Sequence, residues 1–216
     1  MSERAKVRPK KGFTLEEARD YEKRRFLKRP KTRRLNRVEK KFAQKLHNMV
    51  GSDSCIVDIP CGNGRFFTIF SKARKLIMID YSADMLRAAK ERFEIGENVQ
   101  MLQGDISNLS LDNDIADLCF CMRLFHHMKT DEVRLDSLKE LSRISKRYVA
   151  LSFYNKNCLR FFRRKMLRKK IRGYYITFNH LVNLAKQVGL EPVERFPKLN
   201  FIEQQCLVTF RKVQDL

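Results

Sequence analysis

Apolar and polar positions alternate along this chain in two rhythms, and the switches between them mark out a series of elements. Leu35, Val38, Phe42, Leu46 and Met49 recur at three- and four-residue intervals, the spacing of one helix face over residues 35–50. Gly51 follows, the residue type that most readily ends a helix. Upstream, Thr14-Leu15-Glu16-Glu17 has the form of a capping box and opens a short helix, and Arg29-Pro30-Lys31 breaks the chain between the two. Residues 1–12 are charge-rich and poor in apolar side chains, so they are expected to lack structure.

Beyond Gly51 the pattern becomes an alternation. Residues 54–59, 75–80, 99–103, 115–122 and 148–153 are short, nearly continuous apolar runs, as in strands covered on both faces of a parallel sheet. Helical spacing fills the intervals. One helix runs to about Lys72; a second is capped by Ser82 and turns Met85, Leu86, Ala89 and Phe93 to one side. A third starts at Thr130 with acids in its first turn and Leu135, Leu138, Leu141 and Ile144 facing inward. Thr177 caps a last helix bearing Phe178, Leu181, Val182, Ala185 and Val188, and strands near 191–195 and 206–211 complete the series. Five strand–helix alternations and a strand pair predict an open, mostly parallel α/β sheet.

Charge divides the chain more sharply than hydrophobicity. The formal net charge is +21. Residues 1–50 hold 18 Lys/Arg against 6 Asp/Glu, and residues 155–175 hold 9 Lys/Arg and no acid, so these two segments carry the whole surplus. A neutral body with two cationic attachments points to a polyanionic partner or surface, with simple solubility as the bland alternative. Residues 1–50 are read as a basic helical extension or cap, and residues 51–216 as one domain with a basic lid insertion at 155–175. The six cysteines include no Cys-x-x-Cys pair and no zinc-finger spacing, which fits a reducing compartment and no structural metal. The first residues lack the apolar stretch of a secretory signal, and no apolar run reaches the 18 residues of a membrane span. A cytoplasmic protein with no transmembrane segment, able to sit peripherally at a membrane surface, is expected.

The sharpest chemical signal is Ile56-Val57-Asp58-Ile59-Pro60-Cys61-Gly62-Asn63-Gly64-Arg65-Phe66, a strand running through a glycine turn into a helix. Such a turn lets backbone approach a ligand closely and leaves helix N–H groups free for its acceptor atoms. A nicotinamide-binding turn would place a third glycine where Phe67 stands. Asp58, just before the turn, would repel a pyrophosphate but suits a ligand carrying an ammonium group.

These residues resemble the first motif of the class I S-adenosylmethionine (SAM)-dependent methyltransferases, a strand ending in Asp-x-Gly-x-Gly-x-Gly. Asp58, Gly62 and Gly64 match, while Pro60 occupies the place of the first glycine. The resemblance continues in order over residues 54–154 and more weakly to the C-terminus. It implies a Rossmann-like, seven-stranded, mostly parallel sheet with helices on both faces and the last strand antiparallel. It also implies SAM as cofactor, held at the turn formed by Asp58, Pro60, Gly62 and Gly64. Asp80 would accept the ribose hydroxyls, or else serve as a helix N-terminal acid. Asp105 would meet the adenine amino group with Ile106 behind the ring, or else close an Asx-turn. Tyr81 and Met85 pack on the ligand or in the core, and Met122 and Arg123 edge the pocket through backbone atoms.

Residues 121–128, at the carboxyl end of the fourth strand, lie where open α/β sheets bind ligands. His126 or His127 is a candidate general base, having a side chain that titrates near operating pH. The alternative is that one caps the turn and the other is solvated, since methyl transfer often needs only proximity and orientation. Phe153 and Tyr154 are candidates for the wall of the acceptor pocket. No [Asp/Asn/Ser]-Pro-Pro-[Phe/Tyr] tetrapeptide occurs, which argues against methylation of an adenine or glutamine amino group.

Residues 158–171 mix cations with Leu159, Phe162 and Met166 at helical spacing. This basic amphipathic segment suits an anionic membrane surface or an amphiphilic substrate, suits RNA nearly as well, or packs its apolar face on the domain. The expected activity is methyl transfer from SAM to a small-molecule or lipid-like acceptor. RNA methylation is the second reading, and a non-catalytic, nucleic-acid-binding adaptor of the same fold is the third.

Overall fold

The computed structural model describes residues 12–196 and 204–213. The stretch expected to lack structure therefore lies, apart from Gly12, outside the described residues. α1 (Leu15–Arg19) starts at Thr14, where both halves of the capping box form. A π-helical turn, Lys23–Leu27, leads to α2 (Pro30–Val50). Pro30 does not break the chain but opens this helix, because a first-turn residue has no intrahelical use for an N–H. The buried face of α2 is Asn36, Glu39, Phe42, Ala43, Leu46 and His47. Leu35 and Val38 are half-buried and Met49 is exposed, so the face is rotated from the one the apolar spacing marks.

The alternating region comprises β1 (Cys55–Asp58), α3 (Phe67–Phe70), β2 (Lys75–Asp80), α4 (Ala83–Arg92), β3 (Val99–Gln103), β4 (Ala116–Cys121), α5 (Asp131–Ile144) and β5 (Ser145–Asn155). α6 (Leu159–Met166), β6 (Tyr175–Ile176), α7 (Phe178–Lys186), β7 (Leu190–Phe196) and β8 (Gln205–Lys212) follow. The strand order is β3-β2-β1-β4-β5-β8-β7, with β1, β2 and β3 parallel and β8 antiparallel to both β5 and β7. This is the open, mostly parallel sheet that the alternation predicts, in the Rossmann-like arrangement that the resemblance implies. One strand is additional: two-residue β6 pairs in parallel with the end of β5, through Tyr154 and Asn155. β6 has no hydrophobic period of its own, so only this non-local pairing defines it.

The described chain divides into two compact units, one of residues 12–105 with Ala116–Leu118, the other of Ile106–Ile115 with the described part of Cys119–Leu216. In the first, every residue of β1 is buried, as are the last five of β2. Ala18 of α1 packs with Met85 and Ala88 of α4, and Phe13, Leu15 and Tyr21 lie against that cluster. In the second, residues 149–153 of β5 and 205–210 of β8 are buried. Among the described residues, no helix is long and apolar enough to cross a membrane.

Candidate active site

In the first unit the glycine turn is built by hydrogen bonds between the ends of β1 and β2. The Cys61 N–H donates to the Ile79 carbonyl at 2.8 Å, and the Gly62 N–H donates to Asp80 Oδ2 at 2.8 Å. Asp80 Oδ1 accepts the Ser82 N–H at 2.9 Å. A carboxylate has about four acceptor sites, so both oxygens keep capacity for a further donor. Burial raises the Asp80 pKa, opposed by the N–H groups of Ser82, Gly62 and Tyr81. β3 is tied to the same place: the Gly104 N–H donates to the Asp80 carbonyl at 3.1 Å, and Gln103 Nε2 to the Tyr81 carbonyl at 3.0 Å.

The two turn glycines are needed for different reasons. Gly64 has φ of +77°, and a Cβ there would lie 2.8 Å from the Phe93 ring, itself stacked on Phe67. Gly62 has φ of +56°, but a Cβ there would meet nothing within 4 Å. The chain is thus closely covered at Gly64 and open at Gly62.

Asp58 is buried, and its Oδ1 has no hydrogen-bond partner among the described residues. Burial pushes its carboxyl well above the usual range; the Arg65 charge opposes this and the Asp80 charge adds to it. Tyr81 is exposed, and Met85 belongs to the core with Ala18 and Ala88. Asp105 is half-buried just past β3.

Arg65, which the sequence analysis passed over, anchors this turn. Its guanidinium is buried, donates to Asn36 Oδ1 at 3.0 Å and pairs with Glu39. The Phe26 and Phe66 rings pack on it at 4.3 and 4.1 Å. Asn63 Nδ2 donates to the Ala18 carbonyl at 3.0 Å, so α1 and α2 both hold the turn. The available signal was an asparagine and a glutamate at helical spacing beside the apolar stripe of α2. Such residues stay buried only when a partner arrives.

In the second unit, Ile106 and Met122 are buried. Arg123 has φ of +61°, and its N–H donates to the hydroxyl of buried Ser152 at 2.7 Å. Backbone held in this sparsely populated region is common where a turn serves a site. His126 is buried and His127 exposed. The His126 ring stacks on Tyr154 at 4.0 Å with a 13° interplanar angle, and its carbonyl accepts the Tyr174 N–H at 2.9 Å. Tyr154 lies 5.3 Å from the Tyr175 ring, which lies 5.0 Å from Phe161 of α6. Burial, with Cys158 and Tyr154 nearby, pushes the Tyr175 hydroxyl up to about 12. Phe153 is fully buried in β5 and belongs to the core, whereas Tyr154 is half-buried.

A methyltransferase-domain family model matches residues 56–147. Over 93 residues, 43% of this chain, the sequence is 31% identical to tRNA (carboxymethyluridine(34)-5-O)-methyltransferase ALKBH8 of Mus musculus, and the match spans 13% of that protein's length. Among solved structures, magnesium protoporphyrin IX methyltransferase from Synechocystis PCC 6803 with bound SAM superposes with a TM-score of 0.67 at 13% identity, covering 95% of this chain and 100% of that one. The PH0226 protein from Pyrococcus horikoshii OT3 gives a TM-score of 0.69 at 20% identity, covering 94% and 100%. The family model spans the strand–turn–helix series that carries Asp58, Gly62, Gly64 and Asp80, so this part of the chain is similar to a methyltransferase domain, and the solved structures share its fold.

Proposed function

We propose that this chain methylates a small-molecule or lipid-like acceptor held beneath the basic segment 155–175. The observation that carries the reading is the His126 turn: a buried imidazole stacked on Tyr154, its backbone hydrogen-bonded to Tyr174 of that segment. A wall of this kind, aromatic and partly polar, suits a compact acceptor better than an extended polymer.

The residues around Asp58 fit the donor. The open oxygen of buried Asp58 is suited to an ammonium group, and the clear space at Gly62 leaves room for a ligand against its backbone. Asp80 keeps acceptor capacity for ribose hydroxyls, and Asp105, just past β3 in the same unit, is suited to accept from the adenine amino group. Pro60 and Gly64 shape the turn. Tyr81, exposed beside Asp80, is available to the ligand's outer face. When bound, SAM supplies an electrophilic methyl group. The protein's part is to orient the acceptor, exclude water and, where the acceptor arrives protonated, take up its proton. His126 is better placed than exposed His127 for that last role.

A second reading, an RNA acceptor, is favoured by the likeness to a tRNA methyltransferase and by the cations of 155–175. The test is incubation of the purified protein with methyl-labelled SAM and, in parallel, a lipid and small-molecule extract or total RNA. Label in the solvent-extractable fraction, reduced in His126→Ala, is the expected result. Label confined to RNA overturns the first reading in favour of the second.

A further inference from the structure

α6 is an amphipathic helix whose apolar stripe faces solvent. None of its residues is buried; Leu159, Phe162 and Met166, at positions i, i+3 and i+7, are 62%, 55% and 76% exposed. Leu167 and Ile171 extend the apolar surface beyond its end. Arg160, Arg163, Arg164 and Lys165 lie in the helix, Arg168, Lys169, Lys170 and Arg172 follow it, and residues 155–175 contain no acid. The helix is anchored from its other side, through fully buried Cys158 and through Phe161 against Tyr175. The exposed stripe is therefore fixed in place and not a frayed end.

We infer that α6 docks this protein on an anionic lipid bilayer, with Leu159, Phe162 and Met166 among the acyl chains and the surrounding cations at the headgroup phosphates. Charge complementarity selects a polyanionic surface, and the apolar residue types select lipid within that class. Bases gain by stacking on aromatic faces, and Phe162 is the one strongly exposed ring of α6. Leu159, Met166 and Leu167 offer a base nothing comparable, whereas transfer into hydrocarbon rewards each of them. Phe161, Tyr175, Tyr154 and His126 then form a continuous aromatic row from the docked helix to the acceptor wall. An acceptor residing in the membrane interface would enter along that row.

The inference rests on the lipid-like acceptor reading for its purpose, but docking is measurable without turnover. The full chain would be sedimented with phosphatidylcholine vesicles, with and without phosphatidylglycerol. The chain has no tryptophan, so Phe162→Trp gives a single reporter of insertion. Expected are binding only to the anionic vesicles, a blue shift of the reporter on binding, and about tenfold or greater loss of binding when Leu159, Phe162 and Met166 are all replaced by Ser. Unchanged SAM binding in that triple variant shows that it is folded. Equal vesicle binding by the triple variant, no vesicle binding at all, or a reporter that responds to tRNA and not to vesicles overturns the inference. Docking without lipid methylation removes the acceptor reading alone, and lipid methylation without docking removes this inference alone.

Discussion

α2 and α6 are both cationic helices with an apolar stripe, and the fold treats them in opposite ways. α2 buries Phe42, Ala43 and Leu46 and, on the same face, Glu39, whose charge meets buried Arg65. α6 buries none of its residues, and its arginines lie at the surface or half-buried. The periodicity of a stripe shows that the helix has an apolar side; it does not show what covers that side. In α2 the covering elements belong to the chain. In α6 it is Phe161 and the preceding Cys158 that find neighbours of that kind, and the stripe itself is left for another surface.

The largest expected effect separates the two stripes directly. Phe42→Ala should cost about 3–5 kcal/mol of stability, as a large aromatic removed from a packed site does. Phe162→Ala should change stability by less than about 0.5 kcal/mol, because it leaves no cavity. Urea denaturation of both variants measures this, and similar losses would mean that the α6 stripe is covered after all.

A smaller effect sharpens the contrast in how charge is handled. Burial raises the Asp58 pKa, with Arg65 opposing and Asp80 adding, so the folded state holds this proton more tightly than the unfolded chain. Its contribution to stability is full below the ordinary carboxylate range and is lost as pH rises through the folded value. A cationic ligand at Asp58 draws that value down and releases the proton. SAM binding heats should therefore depend on the buffer's ionisation enthalpy just above the ordinary carboxylate range, and Asp58→Asn should remove the dependence. A dependence surviving in Asp58→Asn would place the released proton elsewhere.

Much of the fold is legible in the sequence because the strands are apolar runs bounded by turns; β2 and β3 occupy the residues their hydrophobic stretches mark. Caps at Thr14, Ser82 and Thr177 likewise form the side-chain hydrogen bonds their positions imply. Thr130 stands at the start of α5 without such a bond. What the sequence hides is non-local. The helix expected to reach about Lys72 is only α3, because residues 61–66 are taken up by the glycine turn. Arg65 and Glu39 are 26 positions apart, and no spacing rule joins them. The stacking of His126 on Tyr154 depends in the same way on β5 running past Phe153.

Calorimetric titration of the purified, nucleic-acid-free protein with SAM, beside Asp80→Ala, tests the central claim most directly. Asp80 holds the Gly62 amide and has acceptor capacity for the ribose, so its loss removes charge-assisted hydrogen bonds worth roughly 1.5–3 kcal/mol each. Micromolar binding by the native chain is expected, weakened about ten- to hundredfold or more in the variant. Equal affinity in the two would contradict the role given to Asp80. No SAM binding by the native chain would leave the fold standing without its donor and turn attention to a binding protein built on it.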